Sequence, residues 1–188
     1  MGYAIKAYLT EEAGAPIRRI WADIAAAGLG DFMIRSGSKP GLTLGVWENL
    51  SLAQEINLIR LTEDFAQVLR FIPRMETYGA ATFPTDPAHV FLGVVPSTEV
   101  ISLHKIFHGI NLKLSALCEE YYRPGSWVPH STLSLRCEPK QMIPILQVCL
   151  RHKTRLEGPL DSVGLIETST TREIVMVPFS KGITKPVS

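Results

Sequence analysis

Apolar and polar positions alternate at the start of the chain. Ile5, Ala7 and Leu9 fall on one side of residues 3–9, with Lys6 and Tyr8 on the other, the pattern of a half-buried strand. Thr10, Glu11 and Glu12 follow as a helix start, with acids at its positive end. Ile17, Ile20, Trp21 and Ile24 then recur at helical spacing until Gly28 and Gly30, and Pro16 fits this helix only in its first turn. Residues 32–39 read as a loop or a short edge strand, and 41–47 as a strand. Between 51 and 70 the stripe Leu58, Leu61, Phe65 and Val68 predicts a long amphipathic helix, closed by Pro73.

Residues 75–83 and 89–95 are β-type runs on either side of the turn Pro84-Thr85-Asp86-Pro87. Ser97 or Thr98 caps the next helix, whose stripe runs Leu103, Ile106, Phe107, Ile110, Leu114 and Leu117. Arg123-Pro124-Gly125 turns into a strand over 127–135. A helix over 142–150 must begin close to Pro144, strands cover 155–168 and 172–179, and 181–188 reads as a tail. The order is β-α-β-α-β-β-α-β-α-β-β. Each half holds a Pro-x-x-Thr-Leu strand between two helices, with Pro40, Thr43 and Leu44 matched by Pro129, Thr132 and Leu133. Close to half the chain separates the two, which predicts an internal duplication within one domain spanning 1–188, with motif strands 40–47 and 127–135.

Composition narrows the partners. With 19 basic and 18 acidic residues the net charge is +1, so no global basic field draws the chain to polyanions and any anion site must be local. Three cysteines without ligand spacing argue against a disulfide framework or a zinc site. No signal segment opens the chain and no apolar run of about 18 residues spans a bilayer, so a cytoplasmic, soluble protein without membrane contact is expected.

The candidate chemistry sits on the 127–135 strand. A period of two puts His130, Thr132 and Ser134 on one face and Leu133 and Leu135 on the other. An imidazole titrates near neutral pH and, beside hydroxyls, suits proton transfer at a phosphate. The 39–46 segment has the same frame, with Gly41 where His130 would be.

The run Trp127-Val128-Pro129-His130-Ser131-Thr132-Leu133 resembles the C-terminal His-x-Thr motif of the two-histidine (2H) phosphoesterases, which include the bacterial 2′-5′ RNA ligase and RNA 2′,3′-cyclic phosphodiesterase group. The resemblance implies an α+β fold, bilobal and duplicated, with two antiparallel sheets around a central cleft and helices on the outer faces. It implies a catalytic role for His130 and phosphate contacts from Thr132 and Thr43. Gly41 then stands as a vacant motif position, leaving space beside Thr43. No metal or other cofactor is expected, and the cleft partner is a small phosphodiester, a nucleotide or an RNA end.

Other residues bear on the same site. Lys39, Arg123, Arg35 and Arg136 flank the motifs as anion contacts or ordinary surface charge. Trp127, Tyr121 and Tyr122 suit base stacking, and Trp127 equally suits packing. His89 could lie at the cleft rim but reads rather as a solvated strand-end residue; His104 and His108 have metal-ligand spacing without a further partner and read as exposed helix residues, and His152 as a cation at a helix end. Two function classes follow: a 2H-type phosphodiesterase with catalysis impaired or altered by the missing histidine, or a non-catalytic binder of nucleotide, RNA or another phosphorylated ligand in the same cleft.

Overall fold

A computed structural model describes residues 2–83, 85–170 and 172–180; Pro84, Thr171 and the tail at 181–188 lie outside the described residues. The element order is β1 (Gly2–Leu9), α1 (Glu11–Ala26), α2 (Phe32–Arg35), β2 (Gly41–Glu48), α3 (Leu52–Val68), β3 (Arg74–Phe83), β4 (Ala88–Val94), α4 (Thr98–Ile110), α5 (Leu112–Leu117), β5 (His130–Cys137), α6 (Met142–Cys149), β6 (Glu157–Glu167) and β7 (Glu173–Pro178). The fold is α+β and the sheet antiparallel, as expected. The strands trace one hydrogen-bonded path, β2-β1-β6-β3-β4-β5, with β7 on β6. Its two halves share three residue pairs, where Arg74, Met75 and Glu76 of β3 meet Pro159, Gly158 and Glu157 of β6.

Four local readings are corrected. Pro16 lies in the second turn of α1, because the helix starts at Glu11 under a Thr10 cap; the buried stripe Ile17, Ile20, Trp21 and Ile24 holds the helix through the proline. Residues 32–35 form a helical turn rather than a strand, with Met33 buried and Arg35 paired to Asp31 at 2.8 Å. The stripe after Ile106 is divided at Asn111, whose extended backbone ends α4 and whose side chain caps α5 at Leu114 N. In β5 the register slips, Val90 facing Ser134 while Phe91 faces Thr132. This bulge re-aims the strand, so Leu135, not Ser134, shares the face of His130 and Thr132.

The motif strands β2 and β5 end the path on opposite sides, yet they lie against each other. An edge strand leaves carbonyls that must find donors. Here indoles and imidazoles supply them. Trp127 Nε1 donates to Thr43 O at 3.1 Å, and Trp21 Nε1 of α1 donates to Thr132 O at 3.0 Å. His104 and His108 bring their Nε2 atoms to Leu44 O, each at 3.1 Å. Both are buried, contrary to the expectation of exposed helix residues, because their face of α4 packs on β2. The sheet therefore curls until its two motif edges are joined by side chains.

Candidate functional site

His130 begins β5, directly opposite Gly93 of β4. Its Nδ1 lies 2.7 Å from Val128 O. A carbonyl oxygen only accepts, so Nδ1 carries the proton and Nε2 keeps a free lone pair. The ring stands against two phenyl groups, 5.3 Å from Phe83 and 5.0 Å from Phe91 between centroids. Burial among them lowers the pKa of His130 below the usual histidine value, opposed by the Val128 hydrogen bond and assisted by the charges of His89 and Lys6. A neutral imidazole with its Nε2 available is the form a general base requires.

His130 opens on a cavity of about 400 Å³, whose walls include Phe83, His89, Phe91, Tyr121, Tyr122 and Thr132. Small-molecule sites typically occupy roughly 300–1,000 Å³. Thr132 sits beside His130 on the same face, and the aromatic side chains offer flat surfaces for a base. A second cavity of about 240 Å³ includes Trp21, Met33, Ser134 and Arg136 in its lining, which is where the bulge sends Ser134.

Of the residues expected at the site, His130, Thr132 and Tyr122 line the larger cavity; Thr43, Gly41, Lys39, Arg123 and Trp127 do not. Trp127 is held in packing, stacked on His104 at 3.9 Å with the planes 3° apart. Arg123 Nε donates to Cys118 O at 2.7 Å, which fixes the preceding turn. Lys39 is paired to Glu173 at 2.7 Å, so its charge is already answered. Gly41 is not a vacant place. A Cβ there would overlap Ala7 O and approach Tyr8 Cα to 2.9 Å, because β1 runs hard against β2 at this point. The space expected beside Thr43 is filled by main chain.

Two further residues act on His130. Lys6 lies opposite Thr43 in the β1–β2 pairing, with Nζ bonded to Lys39 O at 3.3 Å and 5.7 Å from the Tyr8 ring. No carboxylate pairs with it among the described residues, and burial pulls its pKa down to about 8. It therefore remains mostly cationic at neutral pH, and its charge reaches His130. Its one signal in the sequence is a lysine in the middle of a strand whose other residues are apolar or aromatic. His89, expected as a solvated strand end, instead lines the cavity with His130. His152 lies 2.9 Å from Asp23 Oδ2, on the α1–α6 side of the molecule. Among the described residues there is no cluster of three or more side chains suited to a metal ion, and no helix long and apolar enough to cross a membrane.

No protein-family model matches the chain, and no curated protein matches it in sequence. Solved structures do match in shape. TT0787 of Thermus thermophilus superposes with a TM-score of 0.59 at 15% identity, covering 96% of this chain and 99% of its own. A structure described as a phosphoesterase gives 0.56 at 16%, covering 95% and 98%. E. coli LigT in its apo form gives 0.56 at 16%, covering 96% and 98%. This chain has the fold of those three proteins. LigT has also been solved with 3′-AMP and with phosphate. The likeness extends over nearly the whole length, so the α+β architecture that the resemblance implied is present from β1 to β7.

Proposed function

We propose that the protein binds and turns over a phosphodiester of a nucleotide or RNA end in the cavity beside β5, with catalysis altered by the loss of one motif histidine. The observation that carries this reading is the state of His130: its Nδ1–H is fixed on Val128 O, and Nε2 is free at the wall of an aromatic cavity next to Thr132. His130 takes or returns the proton of the reacting oxygen, and the Thr132 hydroxyl holds a non-bridging oxygen. Lys6, which pairs with Thr43 across β1 and β2, adds positive charge that reaches His130, whereas Lys39 is paired with Glu173. Tyr121 and Tyr122 stack on the base. The fold likeness to LigT, solved with 3′-AMP and phosphate, supports a nucleotide phosphoester as the ligand class.

The two halves of the chain are, on this reading, a duplicated pair within one domain, of which only the second keeps its imidazole. Three buried free thiols suit a reducing, cytoplasmic setting. The test is hydrolysis of 2′,3′-cyclic AMP by the native chain and by His130→Ala. The expected result is measurable native turnover that falls by about 10²–10⁴-fold in the variant. Equal rates for the two proteins would remove His130 from the chemistry.

The packing of Gly41 against β1 favours one other reading, a binding protein without turnover, since that strand has no room for a second imidazole in its present register. For such a protein 3′-AMP raises the melting temperature while cyclic nucleotide stays intact.

A further inference from the structure

Phosphodiester cleavage removes a proton from the attacking oxygen and delivers one to the leaving oxygen, so a single imidazole does half the work. The position that β2 would have used is closed by the main chain of β1. The cavity itself holds another imidazole. We propose that His89 is the second proton carrier of this site, acting from β4 in place of the group that β2 lacks. The proposal rests on the enzymatic reading given above.

Alternation along β4 sends Val90 and Leu92 into the core and turns His89 and Phe91 to the cavity. Phe91 lies opposite Thr132, and Gly93 opposite His130. His89 and His130 therefore stand at the two ends of one wall, on the same face, with Phe91 and Thr132 between them. His89 lies four residue steps along β4 from Gly93, the partner of His130, about 13 Å at the main chain. The imidazoles thus flank a group held over Phe91 and Thr132 and do not contact one another.

The tautomer of His89 is set as that of His130 is. Thr85 Oγ1 donates to Pro87 O at 2.8 Å and so offers a lone pair to His89 Nδ1, 3.4 Å away. That leaves Nε2, which has no hydrogen-bond partner among the described residues. Among the described residues no carboxylate lines the cavity. Burial first, and the charge of Arg136 second, lower the pKa of His89, so it carries its second proton only with an anion bound beside it; His89 and Lys6 act on His130, and Tyr121 and Tyr122 complete the titratable wall. Such surroundings favour an anion between the two rings.

The step balances as an in-line displacement. His130 Nε2 takes the proton of the attacking water or hydroxyl as its oxygen bonds to phosphorus. The bond from phosphorus to the leaving oxygen breaks, and that oxygen receives the Nε2 proton of protonated His89. The two imidazoles end with their protons exchanged, and solvent resets them.

The experiment measures 2′,3′-cyclic AMP hydrolysis against pH for the native chain and His89→Gln, with 3′-AMP binding followed by calorimetry. The native profile is expected to be bell-shaped. In His89→Gln, kcat is expected to fall about 100-fold with loss of one limb, a much larger change than that in 3′-AMP affinity. A variant with native kcat and both limbs overturns the role of His89 and leaves the enzymatic reading standing. A native chain without turnover overturns both. Titrating the native protein with inorganic phosphate gives a readout that needs no variant. The NMR signals of both imidazoles should move together, and a His89 signal that stays fixed while His130 moves refutes the pairing.

Discussion

The indole of Trp127 donates to the main-chain carbonyl of Thr43, which ties the residues just before one motif strand to the middle of the other. Its counterpart runs the opposite way, from Trp21 of α1 to the carbonyl of Thr132. Each motif threonine thus has its main chain clamped by a tryptophan from a distant part of the sequence. These bonds place β2 and β5 side by side without any strand pairing between them, and they fix how Lys6, which pairs with Thr43, faces His130.

Trp127→Phe keeps an aromatic surface over His104 but removes the donor. The Thr43 carbonyl is then left without that partner at a half-buried edge. A loss of about 1–3 kcal/mol in folding free energy is expected from urea denaturation. Because the clamp sets the relation of β2 to β5, 3′-AMP affinity should fall as well. Unchanged stability would mean that the stacking on His104, rather than the hydrogen bond, holds this edge.

Acid sensitivity follows from the buried pair on α4. His104 and His108 bring their Nε2 atoms within 3.1 Å of each other, and burial, with the charge of His108, pulls the pKa of His104 down to about 4. The unfolded chain binds the proton at pH 6.5 and below, whereas the folded chain resists it until about pH 4. The stability gained by keeping this imidazole neutral is therefore complete above pH 6.5 and is lost as pH falls toward 4. Most of that window lies above the range in which ordinary carboxylates protonate. The melting temperature should drop between pH 6.5 and pH 5, and His104→Gln should flatten the drop. A native protein equally stable at both pH values would count against the pair.

Gly41 invites a repair that the structure forbids. Restoring a histidine there would force a Cβ into Ala7 O, which belongs to the neighbouring strand and cannot swing aside. Gly41→Ala should already destabilise the protein by about 1–3 kcal/mol, the usual effect of overpacking. Gly41→His should show no gain in 2′,3′-cyclic AMP hydrolysis and a lower melting temperature. A faster, stable Gly41→His protein would show that β1 and β2 can separate at this point.

The periodicity of the chain carried all seven strands and the long helices, because their buried faces repeat every two or every three to four residues. It could not carry the breaks. Asn111 interrupts an apolar stripe that runs on through Leu114, and only its extended backbone and capping side chain reveal two helices. The bulge in β5 is equally silent, since Leu133 and Leu135 look alike in sequence while one enters the core and the other the cavity. His130 and Thr132 were legible as local neighbours. Lys6 was not, and His89 only as a minor candidate at the cleft rim, because their relation to His130 depends on strand order rather than on spacing. Trp127 read equally as a stacking platform and as packing, and its role in the clamp depends on a partner 84 positions away.

Lys6 gives the site a pH dependence of its own. Its side chain is half-buried with no carboxylate partner among the described residues, and desolvation lowers its pKa to about 8. As pH rises through that value the charge is lost from the folded protein while an unfolded chain would still hold it. Stability should therefore rise slightly between pH 8 and pH 10, since the unfolded state binds more protons there. Ligand binding should move the other way. A phosphomonoester such as 3′-AMP is already dianionic above about pH 7, so its own charge is constant across the window. Its affinity should fall as Lys6 deprotonates, measured by calorimetry from pH 7.5 to pH 9.5. Lys6→Gln should bind more weakly at pH 7.5 and lose most of that dependence. If the variant keeps the native affinity and the native slope, the charge of Lys6 does not reach the phosphate.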